Sequence, residues 1–163
     1  MFTKAVQTAM NEQIKSELYS GYLYLAMAAH FETLNLKGFA HWMRVQAQEE
    51  QTHALKFFDF IIERGGEVEL KAIEQPPSAF GSPLEVFQTV LEHEKTVTGL
   101  IDDLYALAKN ENDYASEIFL QWFVTEQVEE EDNATEIVET LKMIGDKAQG
   151  TLMLDRALGQ RGD

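Results

Sequence analysis

Apolar residues recur along this chain at alternating intervals of four and three, which keeps side chains on one face of a helix. No stretch alternates strictly enough to make a strand. The pattern predicts an all-α protein with four long helices and a short fifth. The first covers about residues 3–33 and ends near "TLNLKG"; the second covers about 37–64 and stops at Gly65-Gly66. The third, about 83–109, opens on Ser82-Pro83, an N-cap followed by a first-turn proline, with Glu85 close enough to help cap. "NEND" turns the chain into the fourth, about 114–144, which Gly145 ends. "KAQGTLMLDRALGQ" supports a weakly apolar fifth helix over about 147–158.

Helices of this length run to roughly 42 Å. The first and second, and the third and fourth, are joined by short connections and form antiparallel pairs. Between the pairs lies "GEVELKAIEQPPSAFGS", which has no helical pattern and carries Pro76-Pro77. Extended, such a segment reaches about 53 Å, enough to travel the length of a bundle. A four-helix bundle with one long crossover between its second and third helices is the ferritin-like arrangement.

Each helix carries a core stripe. On the first it is Met10, Ile14, Glu17, Gly21, Tyr24, Ala28 and Phe31, and on the second Phe39, Met43, Gln46, Glu50, His53, Phe57 and Phe60. The third has Phe87, Val90, Glu94, Val97, Ile101, Leu104 and Ala108; the fourth has Leu120, Phe123, Gln127, Glu130, Ala134, Ile137, Leu141 and Ile144. Every stripe is broken by polar residues near its middle. Glu17 precedes Glu50 by thirty-three residues and His53 by thirty-six; Glu94 precedes Gln127 and Glu130 by the same intervals. In an antiparallel hairpin, residues equidistant from the turn share a height. All six side chains are therefore expected near mid-bundle, about 25 Å from the turns.

Four carboxylates converging in a dry interior, with no Lys or Arg on any stripe in reach, would have to take up protons or disrupt the core. Two cations cancel that charge. A carboxylate and imidazole donor set for two close metals suits iron better than zinc or calcium, and Glu plus Glu-x-x-His on bundle helices is the di-iron carboxylate pattern. A lone Glu-x-x-His is commonplace, and a lone Glu on a stripe is commonly a solvated flank. Four interruptions at matched heights with duplicated spacing are not.

Composition narrows the partners. The chain has 163 residues, the length of one domain, with ordinary hydrophobic (45%) and charged (25%) fractions. Its 28 acidic residues against 13 basic ones, a net charge of −15, argue against nucleic acid or an anionic membrane and favour cations or plain solvation. There is no cysteine, which excludes disulfides, thiolate metal sites and thiol chemistry. "MFTKAVQTAM" lacks a signal pattern and no apolar run is long enough to span a bilayer, so the expected location is the cytoplasm.

The stretches "NEQIKSELYSGYLYLAMA", "KGFAHWMRVQAQEEQTHALKFFDFIIERGG", "QPPSAFGSPLEVF", "EHE" and "FLQWFVTEQVEEE" carry a resemblance to the non-haem ferritins of bacteria and archaea over essentially the whole chain. The resemblance implies an iron-storage ferroxidase, in which Fe(II) is oxidised by O2 or peroxide and deposited as ferric oxyhydroxide mineral inside a hollow homo-oligomer of twenty-four subunits. It implies a first iron on Glu17, Glu50 and His53, with Glu50 bridging, and a second on Glu50, Glu94 and Glu130 with Gln127 nearby. It implies a third iron site on Glu49, Glu126, Glu129 and Glu130. Glu49 and Glu126 stand one residue before the duplicated ligands, turned to one side; an ordinary acidic flank is the alternative. In bacterioferritins and di-iron oxygenases the position of Gln127 is a charged Glu, so the neutral amide here implies a weaker second site that releases its product. Tyr24, seven residues after Glu17 on its stripe, should face the centre; the resemblance gives it a hydrogen-bonding and electron-donating role, with core packing as the alternative. Trp122 has the same two readings. Haem-binding relatives place a Met after the second-helix Glu, where this chain has Gln51, so haem is not expected. His30, His41 and His93 lie off the stripes and are expected on the surface. A shell subunit that only nucleates mineral, and a di-iron peroxidase or oxygenase acting on another substrate, are the competing functions.

Overall fold

The computed structural model describes residues 2–162. Its helices are α1 (Lys4–Thr33), α2 (Lys37–Glu63), α3 (Pro83–Asn110), α4 (Tyr114–Ile144) and α5 (Ala148–Leu158), with no strand among the described residues. The expected boundaries hold to within a residue, and most of the small differences are caps. Thr3 is the N-cap of α1, its hydroxyl accepting from Val6 N at 3.3 Å. Ser82 and Glu85 cap α3 reciprocally: Glu85 N donates to Ser82 Oγ at 3.3 Å, and Ser82 N donates to Glu85 Oε2 at 2.7 Å.

The cap of α2 is tertiary. Leu36 offers it no side-chain acceptor; instead Asp155, on α5, accepts from Gly38 N at 2.8 Å and Phe39 N at 3.0 Å through Oδ1. That docking requires glycine at 38, because a Cβ there would stand 1.6 Å from the Asp155 carbonyl oxygen. Asp113 both caps α4, accepting from Ser116 N at 3.3 Å, and pairs with Arg64 at the end of α2 at 2.9 Å.

Both hairpins turn on an asparagine in the left-handed region, Asn35 (φ 57°) and Asn112 (φ 55°). The crossover then travels along α1 toward its C-terminal end. Asn11 accepts from Glu69 N at 2.7 Å and donates to Glu67 O at 3.0 Å; Lys71 pairs with Glu12, and Lys15 meets Glu74 at 3.5 Å. The His30 ring finally reaches Gly81 O at 2.7 Å. From Gln7, which accepts from Glu67 N, to His30 the loop covers about 35 Å of helix. It therefore starts α3 at the end of the bundle where α1 finishes, as its length allowed.

The core is split in two. One apolar cluster gathers Tyr24, Phe31, Phe39, Met43, Phe87 and Ala134 with their neighbours; the other gathers Met10, Ile14, Phe57, Ile101, Leu120 and Phe123. Between them lies a buried polar layer. No helix of the described residues is long and apolar enough to cross a membrane.

Candidate metal centre

Glu17, Gln46, Glu50, His53, Glu94, Gln127 and Glu130 are all buried and make up that layer. Each helix places its residue there because the flanking stripe positions are locked into the two apolar clusters above and below, which leaves the polar members no route to solvent. Gly21, one turn after Glu17, lets α2 approach closely: a Cβ there would stand 3.1 Å from Ala47 O and 3.5 Å from Glu50 Cβ.

The α1–α2 hairpin forms a compact trio. His53 Nδ1 lies 3.8 Å from Glu17 Oε2 and 3.3 Å from Glu50 Oε2. One atom of each of Glu17, Glu50 and His53 falls within 4.8 Å of the others, a spread one cation can bridge. Gln13 donates to Glu17 Oε1 at 2.7 Å, while Glu17 Oε2 is buried with no hydrogen-bond partner. A buried, orphaned carboxylate oxygen is costly, and a cation is the partner it fits.

The α3–α4 hairpin is arranged differently. Glu94 accepts a hydrogen bond from the Tyr24 hydroxyl and another from Gln127 Nε2 at 3.2 Å. Glu130 accepts from Gln46 Nε2 at 2.7 Å, and the same amide reaches Glu50 Oε1 at 3.3 Å. The six expected residues are thus all buried in the layer but fall into two contact networks, Glu17, His53, Glu50 and Glu130 joined through Gln46, and Glu94 with Gln127 and Tyr24. The expected trio of Glu50, Glu94 and Glu130 does not close, however: the second set within bridging distance is His53, Glu126 and Glu130. Carboxylates repel one another, and Glu94 and Glu130 have each been drawn to a protein donor. With its N–H turned to Glu94, Gln127 keeps only a neutral carbonyl oxygen for a cation, a weaker donor than a carboxylate.

The electrostatics follow from burial. Burial pushes the Glu50 carboxyl well up, and the charges of Glu17 and Glu94 add to it. Glu94 is also raised, mainly by burial, and Glu130 is pushed up to about 8 by burial and the charge of Glu94. Burial alone would lower the His53 imidazole, but contact with Glu17 and Glu50 outweighs it and carries it to about 11. The Tyr24 phenol is driven well up by burial and by Glu94. A layer this short of positive charge gathers protons, and cations satisfy the same need.

On the flank, Glu126 Oε1 lies 3.8 Å from His53 Nε2, so the imidazole is a shared wall between the two sets. Burial raises Glu126, and the neighbouring charges of Glu129 and Glu49 raise it further. Glu129 is exposed and Glu49 half-buried. Trp122, half exposed, meets the His53 ring edge-on at 5.4 Å, and Lys56 sits 4.3 Å over its face.

The three remaining histidines depart from expectation. His30, His41 and His93 are half-buried, and each holds a 2.7 Å contact: His30 with Gly81 O, His41 with Arg161 O and His93 with Ser20 Oγ. His93 also packs edge-on against Tyr24 at 5.9 Å. The crossover covers His30, the C-terminal segment covers His41, and α1 covers His93, on faces that the helical stripes alone leave open. Two participants were not singled out from sequence. Gln46 was visible as a polar residue one turn before Glu50 on the stripe. Arg161, beyond the last helix, had no such signal.

A ferritin-like domain model matches residues 7–144. The chain is 47% identical to a bacterial non-heme ferritin of Bacteroides fragilis, over 99% of this chain and all of that one. It is 35% identical to the bacterial non-heme ferritin of Staphylococcus aureus, over 99% and 97% of the two chains. Among solved structures, an open pore ferritin from the hyperthermophilic archaeon Archaeoglobus fulgidus superimposes with a TM-score of 0.98 at 51% identity, covering 99% of this chain and 100% of that one. A humanized archaeal ferritin does so with a TM-score of 0.99 at 48% identity, over the whole of both chains. Fold and buried acidic layer together define a metal-handling four-helix bundle. The chain belongs to the ferritin family, and iron storage is its function.

Proposed function

We propose that the buried layer is a ferroxidase centre feeding a ferric mineral. The observation that carries this is Glu17 Oε2, buried and without any donor, beside Glu50 and His53 in a set that one cation can bridge. A first Fe(II) is held by Glu17, Glu50 and His53, with Glu50 shared. A second is held by Glu50, Glu94 and Glu130, with the Gln127 carbonyl nearby. Each of the two ferrous ions gives up one electron, and O2 or hydrogen peroxide takes both. In this reading Glu94 and Glu130 give up their contacts with Tyr24 and Gln46 when the cation binds. A third ion sits on the flank formed by Glu49, Glu126, Glu129 and Glu130, from which ferric product passes to mineral. The neutral Gln127 keeps the second position weak, which suits a centre that must empty. The chain works as a hollow homo-oligomer of 24 copies in the cytoplasm. Neither nucleic acid nor a membrane is a partner.

Aerobic addition of Fe(II) tests the reading. Wild type should oxidise about two irons per chain in a fast phase, then grow mineral slowly. Glu17→Ala and His53→Ala should each abolish the fast phase. Unchanged kinetics in both variants would overturn the assignment. A protein that accumulates mineral without any fast phase would be a shell subunit alone.

A further inference from the structure

The C-terminal segment is tied to the metal centre by one guanidinium. Arg161 Nη2 donates to Glu49 Oε2 at 2.6 Å, and Nη1 donates to Gln46 Oε1 at 3.0 Å and to Trp42 O at 3.4 Å. The guanidinium lies 4.6 Å over the Trp42 ring, and the Arg161 carbonyl accepts from His41. Both the backbone and the side chain of this residue are thus held in place, although it lies beyond the end of α5. The contact with Gln46 has a directional consequence. Because the amide oxygen faces Arg161, the amide nitrogen must face the other way, and there it meets Glu130 and Glu50. Released from Arg161, the amide could turn over and present an acceptor to two carboxylates.

Glu49 is the other half of the device. Its side chain is 40% exposed, so a cation from solvent can reach it, yet one of its oxygens is taken by a charge-assisted hydrogen bond. We propose that Arg161 is a positioning residue of the centre: its guanidinium occupies Glu49 until a cation displaces it, and meanwhile turns the Gln46 amide toward Glu50 and Glu130. This rests on the reading of Glu49 as part of the third ion site. Since Asp155 pins α5 to the start of α2, the displacement couples cation uptake on the flank to the C-terminal segment.

Zinc, which does not change oxidation state, serves as the probe. Calorimetric titration of the metal-free assembled protein should show two tighter steps and one weaker step per chain. In Arg161→Gln the weaker step should tighten about tenfold, because no internal cation competes for Glu49. Arg161→Lys keeps the charge but loses the two-point fork, and should fall between the two. A merely structural role would leave every step unchanged or weaken all of them, and either result overturns the proposal. Two steps in every variant would also overturn it while leaving the two-iron reading standing. A wild type that takes up no zinc at the centre would remove both.

Discussion

The α1–α2 hairpin presents Glu17 with one oxygen free of any donor, 3.8 Å from His53, while the α3–α4 hairpin presents Glu94 and Glu130 already engaged by Tyr24, Gln127 and Gln46. The two hairpins carry the same spacing, so spacing does not explain the difference. Neighbours do. Two residues outside the duplicated motif, Tyr24 on α1 and Gln46 on α2, reach across and satisfy the carboxylates of the other hairpin. The first half keeps a buried carboxylate oxygen without a hydrogen-bond donor, whereas the second stores hydrogen bonds that a cation must replace. The first position should therefore be the tighter one, and the second the one that empties.

The comparison breaks most sharply at Glu17. Glu17→Gln puts an amide where the carboxylate oxygen without a hydrogen-bond partner stands, so it should abolish fast Fe(II) oxidation in stopped flow while changing the stability of the metal-free protein by no more than about 1 kcal/mol in calorimetric melts. Loss of both activity and stability would mean that Glu17 is a structural hydrogen-bonding residue. Gln127→Glu should make the second half resemble the first. An added carboxylate is expected to tighten the second cation about tenfold and to slow repeated turnover, read by zinc titration and by successive Fe(II) additions. Equal affinities before and after would remove the amide from the account. Tyr24→Phe sharpens the comparison more finely. Freeing Glu94 should strengthen the second step by several-fold and leave the first alone, at a stability cost of about 1–2 kcal/mol. A change confined to the first step would contradict the geometry.

Asp113→Ala is the control away from both halves. It unpairs Arg64 and uncaps α4, and should cost about 1–3 kcal/mol without altering cation binding. Burial pushes the Asp113 carboxyl up, but Arg64 and Ser116 outweigh it and hold it below the usual aspartate range. Its contribution is therefore complete above that range and is lost as pH falls through the lowered value. The gap in melting temperature between wild type and variant should close in acid.

Much of this was legible in the chain. Four broken stripes, each with one carboxylate near its middle, place the buried layer by helical geometry, since residues at fixed intervals on antiparallel helices meet at calculable heights. Ser82-Pro83 with Glu85 identified the α3 start because capping is local. The proposed second iron position was harder to read: its expected ligands Glu50, Glu94 and Glu130 are placed by spacing at one height, but their rotamers depend on which donors stand beside them. The histidines show the same limit. His93 reads as a surface residue from its helical phase, and becomes half-buried because α1 brings Ser20 and Tyr24 against it.

By itself the sequence determined the helices, their ends, the long crossover and the height at which acid meets acid, because each follows from periodicity, capping or chain length. Tertiary structure alone decided the rest: that α5 caps α2 through Asp155, that Arg161 faces Glu49, and that one half of the layer is satisfied while the other is not. Those are contacts between segments more than a hundred residues apart, or choices of rotamer among competing donors. No local pattern encodes either, since both depend on where the whole bundle brings its side chains.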